Sequence, residues 1–232
     1  MSEFLSLKPD SIHREIRETL FGDLPLARLV QAPAGAQLAE PWDSFARARR
    51  LNDAGDKQGA SQVLQQIFKM PRLETRVRLQ AWHSLRELGE EPPREKQKEI
   101  LGVVVEVGMR KGLDLVAAYA DHRARYFIYS GGGILWERQD DSFDGLIDEV
   151  LKAGAAVVQA IQPWKQSRPP EPGKGNVRIN MLTPAGLHLG QGPIETLKRD
   201  PLGGPILLAA FRLTQKLVDL SPKEKKLDSI WS

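Results

Sequence analysis

Four short apolar runs follow one another between residues 102 and 137, and turn-forming residues separate each run from the next. Runs of four to eight residues with breaks at this spacing are typical of antiparallel strands that pair with their neighbours in sequence. A helix that buries one face needs a longer periodic stretch. We therefore predict antiparallel strands at residues 103–107, 113–120, 124–129 and 134–137.

The third and fourth runs are separated by Ser130 and three consecutive glycines, residues 131–133. A phosphate-binding glycine loop opens directly into a helix, so that free N–H groups and the helix dipole face the anion. Here strand-like residues lie on both sides of the glycines. We therefore interpret residues 130–133 as a hairpin turn in which glycine supplies positive φ values.

The remaining C-terminal part alternates between helical and strand patterns. Asp140, Asp141 and Ser142 provide capping groups before an apolar stretch of period 3.6. A proline-rich segment follows, and its composition favours an extended surface loop. The pattern predicts a helix at 143–161, an extended loop at 163–175, strands at 177–182 and 187–190, and a last helix at 205–220.

The order of these elements predicts an α+β protein. Residues 1–100 form an α-helical, repeat-like region, and residues 101–232 form an antiparallel sheet with helices packed on one face. In layout the second part is similar to the small sheet-and-helix modules of the roadblock, longin and profilin type. Layout alone does not imply a function.

The N-terminal region shows helical periodicity. An amphipathic helix is predicted at residues 11–20, ended by Gly22, and three more are predicted between Pro41 and Leu88, the last ended by Gly89. Residues 41–88 resemble a tetratricopeptide-like helical hairpin in the positions of Ala48, Leu51, Gly55, Asp56, Gly59, Ala60, Leu64, Ile67 and Pro71. The aromatic and Leu-Gly signatures of the first repeat helix are absent. The resemblance implies a helical scaffold for protein interactions rather than a peptide-binding groove.

Composition narrows the class of protein. The chain of 232 residues has no cysteine, which excludes disulfides, a thiol nucleophile and thiolate metal sites. No apolar run approaches the roughly 20 residues that span a bilayer, and no basic leader precedes an apolar region at the N-terminus. The net charge of +3 lacks the basic stripe of a nucleic-acid-binding protein. We therefore expect a protein of a bacterial-type cytoplasm that binds neither membranes nor nucleic acid.

Strand alternation gathers polar side chains on one predicted face of the sheet. If the valines of residues 103–107 face the helices, Glu106 faces the other way. The same argument, with Leu187 and Leu189 taken as inward, places Arg178, Asn180 and His188 on this uncovered face. One interpretation is a ligand site in which His188 acts as an acid or a base. The alternative is a solvated or partner-covered face with a cross-strand Glu–Arg pair.

A second glycine cluster, Gly190, Gln191 and Gly192, follows a predicted strand and precedes Pro193, a residue suited to the first position of a helix. An anion such as phosphate is one candidate ligand for this loop, although the spacing matches neither the dinucleotide nor the P-loop motif. The alternative interpretation is a structural turn. Together with the sheet face, this loop defines the candidate ligand-binding residues Glu106, Arg178, Asn180, His188, Gly190, Gln191 and Gly192.

The C-terminal segment is polar apart from Leu227, Ile230 and Trp231, which show i, i+3, i+4 spacing. This spacing would let a short helix dock on an apolar edge of a partner. The alternative is that the segment packs on its own domain.

The sequence contains no catalytic constellation, and we name no catalytic residue, metal ligand or cofactor. His13, His83 and His122 lie far apart without metal-ligand spacing. We therefore predict a non-enzymatic interaction or adaptor protein with a protein partner, and open sheet edges make self-association a further expectation. The alternative is a small-ligand sensor or enzyme that uses the sheet face and the loop at residues 190–192.

Overall fold

The computed structural model describes residues 16–29, 38–130 and 132–220. Its helices are α1 (residues 16–21), α2 (Leu26–Leu29), α3 (Trp42–Asp53), α4 (Lys57–Ile67), α5 (Thr75–Glu87), α6 (Asp144–Ala160), α7 (Ile194–Arg199) and α8 (Gly203–Asp219). Its strands are β1 (Gly102–Met109), β2 (Gly112–Tyr119), β3 (Ala124–Phe127), β4 (Gly133–Trp136), β5 (Asn176–Thr183) and β6 (Gly186–Pro193). The predicted α+β class is confirmed.

The strands form one six-stranded antiparallel sheet in the order β4-β3-β2-β1-β5-β6. The first four strands pair as successive hairpins, and the β5–β6 hairpin adds to the free side of β1. The four predicted strands of residues 102–137 are therefore correct. So is the turn between the third and fourth, where the N–H of Ile128 donates to the carbonyl of Gly132 at 2.9 Å. The predicted positive φ values are not found at Gly132 or Gly133; Gly131 lies outside the described residues.

Helices α6 and α8 pack on one face of the sheet, as predicted. Their apolar stripes meet the side chains of β1 and β5 in a cluster that includes Val103, Ile147, Val158, Met181, Ile206 and Leu213. The two helices run antiparallel, because α8 begins near β5 and its Arg212 reaches Glu149 in the second turn of α6, at 3.3 Å. This face holds the largest hydrophobic cluster of the described residues.

Helices α1 and α5 cover the opposite face, which the sequence analysis took as open. Their contributions to the cluster on this side are Leu20, Phe21 and Leu79, which pack against residues of β1, β2 and β5, among them Val104, Leu115 and Leu182. The central strands are therefore buried on both faces, as their almost uninterrupted burial shows. The predicted open sheet face is wrong, because the helices that close it come from the N-terminal region.

Helices α3, α4 and α5 form an antiparallel block with its own core, which includes Phe45, Ala48, Leu64, Ile67, Ala81 and Leu85. Asp56 caps α4 by accepting from the N–H of Gly59 at 2.8 Å, and Gly89 follows α5 with φ +94°. Trp82 of α5 contacts both this core and the cluster on the sheet. The helical block and the sheet are thus joined through α5.

The helix predicted at residues 11–20 begins outside the described residues, and its described part continues to residue 21. Gly22 follows it with φ +59°, and a Cβ there would lie 2.6 Å from the carbonyl oxygen of Arg76. Only glycine fits both this conformation and this close approach of α1 to α5.

Candidate functional site

Four of the seven predicted ligand-binding residues meet in a network beneath α1, in which Glu106, Arg178 and Asn180 are buried and Gln191 is exposed at the sheet edge. Glu106 is fully buried and lies opposite Arg178 in the β1–β5 register. Its carboxylate accepts from Arg178 Nη1 at 3.1 Å and from Asn180 Nδ2 at 3.1 Å. The other carboxylate oxygen accepts from Nε of Arg17 on α1. The predicted cross-strand Glu–Arg pair is therefore present, but inside the protein.

Gln191 and two proline carbonyls complete this network. Gln191 lies opposite Arg178 on β6, and its Oε1 accepts from Arg178 Nε at 2.8 Å. The carbonyl of Pro169 accepts from both Arg17, at 2.9 Å, and Arg178, at 3.1 Å, while that of Pro170 accepts from Arg178 at 2.6 Å. Because extended proline-rich backbone leaves its carbonyls free of internal hydrogen bonds, it suits this capping of buried guanidinium groups.

The proline-rich segment can reach the network because Gly108 of β1 has no side chain. A Cβ at Gly108 would lie 2.1 Å from the carbonyl oxygen of Gly173 and 2.4 Å from that of Pro172. The N–H of Gly175 donates to the carbonyl of Gly108 at 3.0 Å. The predicted extended loop at residues 163–175 is thus held against β1.

A third arginine fastens α1 from outside the network. Arg168 lies 2.9 Å from Asp23 and 3.0 Å from Glu18. Its guanidinium stacks 4.1 Å from the ring centroid of Phe21. A guanidinium on an aromatic face adds a cation–π attraction to the ion pairs. These contacts hold the end of α1 on the proline-rich segment.

The network is closed to ligands. Burial lowers the pKa of Arg178, Glu106 opposes this shift, and Arg17 adds to it; an arginine remains charged even so. Within the part of the chain that the structure describes, Asn180 Oδ1 is the member of the network that lacks a hydrogen-bond partner. Each guanidinium already has acceptors from the chain itself. The arrangement fixes α1 and the proline-rich segment on the sheet.

His188 does not join these residues. It lies opposite Met181 in the β5–β6 register, and Met181 belongs to the cluster under α6 and α8. Directly opposite residues in an antiparallel pair point to the same face. His188 therefore lies on the other side of the sheet from Glu106, Arg178 and Asn180, and the predicted shared face is wrong for this residue.

The ring of His188 is fully buried. Neither ring nitrogen has a hydrogen-bond partner among the residues that the structure describes. Burial lowers the pKa of His188; the backbone at Ile161 opposes this shift and Lys98 adds to it. A buried neutral imidazole without access to substrate is not a candidate acid or base.

The glycine cluster at residues 190–192 is part of a strand, so the predicted loop is wrong. Gly190 pairs with Ile179 and Gly192 pairs with Val177. Strand β6 continues to Pro193, and the six-residue helix α7 begins at the next residue. The backbone groups that were expected to bind an anion belong to the edge strand of a sheet, and α7 is too short to offer a strong dipole.

A second charged network joins α5 to the other end of the sheet. The buried Arg125 of β3 lies 2.6 Å from Glu137 and 3.4 Å from Glu74. Asp121, in the turn between β2 and β3, accepts from the N–H of Thr75 at 2.8 Å and pairs with Arg123 at 2.7 Å. These contacts tie α5 to β3 and to the β2–β3 turn, while Nε of Arg125 has no hydrogen-bond partner among the described residues.

Buried tyrosines show a similar structural role. Burial raises the pKa of Tyr119, whose hydroxyl donates to the carbonyl of Leu20 at 2.8 Å. Burial also raises the pKa of Tyr126, with a further effect of Asp114, to which its hydroxyl donates at 3.3 Å. Both hydroxyls remain protonated donors that tie together separate parts of the fold.

An open groove lies on the helical block. Phe68, Met70, Leu73 and Trp82 line it and are all only half-buried. The rings of Phe68 and Trp82 are 4.6 Å apart between centroids, and the cavity volume is about 340 Å³. We call this cavity the α4–α5 groove. Its four large apolar side chains lie next to one another and are only partly covered by the core of the block.

Two cations flank the α4–α5 groove. Arg78 on α5 is 3.7 Å from Glu99, which is longer than a hydrogen bond. Lys96 is exposed and has no ion-pair partner among residues 16–29, 38–130 and 132–220. The groove therefore combines an apolar floor with two cations at its margin, of which Arg78 forms a long ion pair with Glu99.

The sequence analysis named no residue of this groove as a candidate site. The available signal was the short α4–α5 connection, which carries the large apolar side chains Phe68, Met70 and Leu73 around Pro71. Connecting segments run over the protein surface, so three large apolar side chains in a connection this short are unusual.

The predicted partner-binding residues Leu227, Ile230 and Trp231 lie outside the described residues, so their role stays a prediction. Within the described ranges, no group of three or more His, Cys, Asp or Glu residues could hold a metal ion. No helix within these ranges is both long enough and apolar enough to cross a membrane.

Comparison of the chain with protein-family models, with curated proteins and with solved structures finds no match. The tetratricopeptide-like reading of residues 41–88 therefore stays a prediction. Any proposal about function has to start from the surfaces of this chain itself.

Proposed function

We propose that this protein is a non-enzymatic interaction protein that binds a short segment of a protein partner in the α4–α5 groove. The observation that carries the proposal is the partly buried apolar surface of Phe68, Met70, Leu73 and Trp82, beside a lysine that has no ion-pair partner among the described residues. Exposed apolar surface of this kind, with polar groups at its margin, is typical of interaction sites.

The size of the groove suits an anchor side chain of a peptide. Its volume of about 340 Å³ is at the lower end of the range for ligand sites. Burying one large apolar side chain contributes about 1.5–3 kcal/mol. Aromatic residues dominate the energy of many interfaces, and the flexible Met70 can adapt to the shape of the anchor.

The charges favour an acidic residue next to that anchor. Arg78 and Lys96 would both attract a carboxylate, and Lys96 has no competing partner among the described residues. Charge complementarity of this kind contributes mainly to specificity and to the rate of association. We therefore expect peptides with a bulky apolar side chain and an Asp or Glu within a few residues of it.

The alternative, a small-ligand sensor or enzyme, has less support. It depended on an open sheet face, and Glu106, Arg178 and Asn180 are buried there and bonded to one another. The candidate acid–base residue, His188, lies on the other face.

Selection from a displayed library of random peptides on the immobilised full chain tests the proposal. Wild-type protein should enrich peptides that combine a bulky apolar residue with an acidic one. Lys96→Glu should shift the enriched peptides from acidic to basic. Met70→Asp should abolish enrichment, because a carboxylate on the apolar floor is costly to bury.

Lys57→Glu is the matched control, because it makes the same charge change at an exposed site on α4 outside the groove. It should leave the selected sequences unchanged. Circular dichroism and thermal unfolding show that each variant is folded. The proposal would be contradicted if wild type and Lys96→Glu selected the same peptides. It would also be contradicted if the wild-type protein selected no peptides.

A further inference from the structure

We infer that residues 221–232 of this chain occupy the α4–α5 groove when no partner is bound, with Leu227, Ile230 and Trp231 as the anchoring side chains. The inference rests on the proposed function, because tail and partner would compete for the same groove. We call residues 221–232 the tail. In the free protein, the tail would then cover the groove of its own chain.

The composition of the tail matches the groove. Leu227, Ile230 and Trp231 have the i, i+3, i+4 spacing in sequence with which amphipathic helices present anchors to apolar grooves. Asp228 follows the first anchor directly. It is the acidic neighbour that the cations Arg78 and Lys96 favour.

The tail starts on the side of the molecule where α6 begins. Arg212 of α8 contacts Glu149 of α6 at 3.3 Å, and the two helices are antiparallel. Leu220 lies eight residues beyond Arg212, or about 12 Å further along the helix axis. Asp144, the first residue of α6, lies only about 7.5 Å before Glu149. Leu220 is therefore level with or beyond the start of α6.

A short chain of contacts connects this place to the groove. Asp144 lies 3.5 Å from His122, whose neighbour Asp121 accepts from the N–H of Thr75 at 2.8 Å. Thr75 begins α5 and lies two residues after Leu73 in the groove wall. The root of the tail and the groove thus lie toward the same end of the sheet.

The basic part of the tail matches the surface between these two places. Three lysines follow Leu220 closely, at positions 223, 225 and 226. Exposed carboxylates around the start of α6 include Asp140, Asp141 and Asp148, while the exposed Arg138 pairs with Asp144. Hydrogen bonds from Ser142 lower the pKa of Asp140, and Lys216 of α8 adds to this shift. Lys216, in the last turn of α8, therefore lies on the side of the molecule that carries Asp140.

The length of the tail favours the same chain over a second copy. Twelve extended residues reach about 40 Å, while a domain of this size has a radius of gyration of about 17 Å. A short flexible tether gives an effective concentration of about 1 mM. With a dissociation constant of about 0.1 mM, the tail would fill about nine grooves in ten. Tails of other molecules at micromolar concentration would fill only a few per cent.

Paramagnetic broadening in the full chain tests the inference. The chain has no cysteine, so Ser229→Cys carries the only nitroxide, and the indole N–H signals of the tryptophans report its position. We expect loss of the Trp82 signal relative to the reduced label. The Trp164 signal should persist, because this residue lies by β6 at the far edge of the sheet. Adding Leu227→Asp should restore the Trp82 signal.

A Trp82 signal that persists beside the oxidised label would overturn the inference. So would its loss in isotope-labelled chains that lack the nitroxide, when these are mixed with unlabelled spin-labelled chains, because the tail would then come from a second copy.

Peptide affinity separates the inference from the proposed function. Leu227→Asp should tighten binding of a selected peptide about tenfold, since the groove is no longer nine-tenths occupied. Unchanged, measurable affinity would overturn the inference and leave the proposed function standing. Loss of the Trp82 signal with no peptide binding to Leu227→Asp would overturn the proposed function while the docking of the tail stands.

Discussion

The two faces of the sheet bury polar side chains in opposite ways. Under α1, the buried carboxylate of Glu106 pairs with both Arg17 and Arg178. Under α6 and α8, His188 is buried, and no hydrogen-bond partner for its ring is found among the described residues. A buried charge is stable only with partners, whereas a histidine can avoid the cost of burial by losing its proton.

Whether a polar group already has partners within the chain helps to distinguish a structural cluster from a binding site. Charged residues that already have partners within the chain hold the fold together, as in the network of Glu106. A binding site keeps some of its hydrogen-bonding and apolar surface unused, and the groove that we propose as a site has Lys96 and half-buried aromatic rings at its surface. Residue type alone does not separate the two cases.

Glu106→Ala should produce the largest effect on stability. It would leave the guanidinium groups of Arg17 and Arg178 buried without their shared carboxylate, which costs about 3–5 kcal/mol in comparable cases. The free energy of unfolding from urea titration measures this loss. Glu149→Ala is the matched control, because Glu149 is half-exposed in its pair with Arg212, and it should cost less than about 1 kcal/mol.

A combined variant keeps this prediction informative if Glu106→Ala does not fold. Arg17→Met, Glu106→Leu and Arg178→Met together replace the charges by apolar groups of similar size. Such replacements are often neutral or stabilising, so this variant should be far more stable than Glu106→Ala. If Glu106→Ala and Glu149→Ala lowered the free energy of unfolding equally, the buried network would contribute no more to stability than an exposed ion pair.

The sequence predicted the strands well because their signals are local. Each strand is a short apolar run between turn residues, and each predicted bound lies within three residues of the observed one. The covering of the second face was not predictable in this way. It depends on pairs that lie far apart in the chain, such as Arg17 with Glu106, which are 89 residues apart.

The position of His188 was wrong for a related reason. Alternation of apolar and polar residues shows which face is inward only when the other face is solvated. Here both faces are covered, so Leu187 and Leu189 point away from the α6–α8 side and are still packed or half-buried. The α4–α5 groove escaped prediction because half-buried and fully buried aromatic residues look the same in a sequence.

His188 should make stability depend on pH near neutrality. Burial lowers its pKa in the folded protein below the unfolded value of about 6.5. The unfolded chain therefore binds a proton more readily, so stability is complete above about pH 6.5 and falls as the pH decreases below it. The slope for one proton is at most about 1.4 kcal/mol per pH unit.

Comparison of the wild type with His188→Leu in urea titrations between about pH 7.5 and pH 5.5 measures this slope. The variant should be less sensitive to pH. Burial also lowers the pKa of His83, so both chains should carry His83→Gln to isolate the effect of His188. Equal slopes with and without His188 would mean that its imidazole is protonated as easily in the folded chain as in the unfolded one.

Gln191→Glu should produce the smallest effect, and in the stabilising direction. Arg17 and Arg178 share one carboxylate, so a second one at position 191, within reach of Arg178 Nε, would neutralise the remaining charge. Because residue 191 is exposed at the sheet edge, we expect a gain of only about 0.2–1 kcal/mol. Gln62→Glu, at an exposed position on α4, is the control and should change little.

The carboxyl group of Glu at position 191 should have a pKa below its ordinary value of about 4.3. The gain in stability is therefore present above that pH and is lost as the pH falls through the lowered pKa. Urea titrations across this pH range measure the gain. A destabilised Gln191→Glu would mean that the proline carbonyls and Glu106 already neutralise both guanidinium groups.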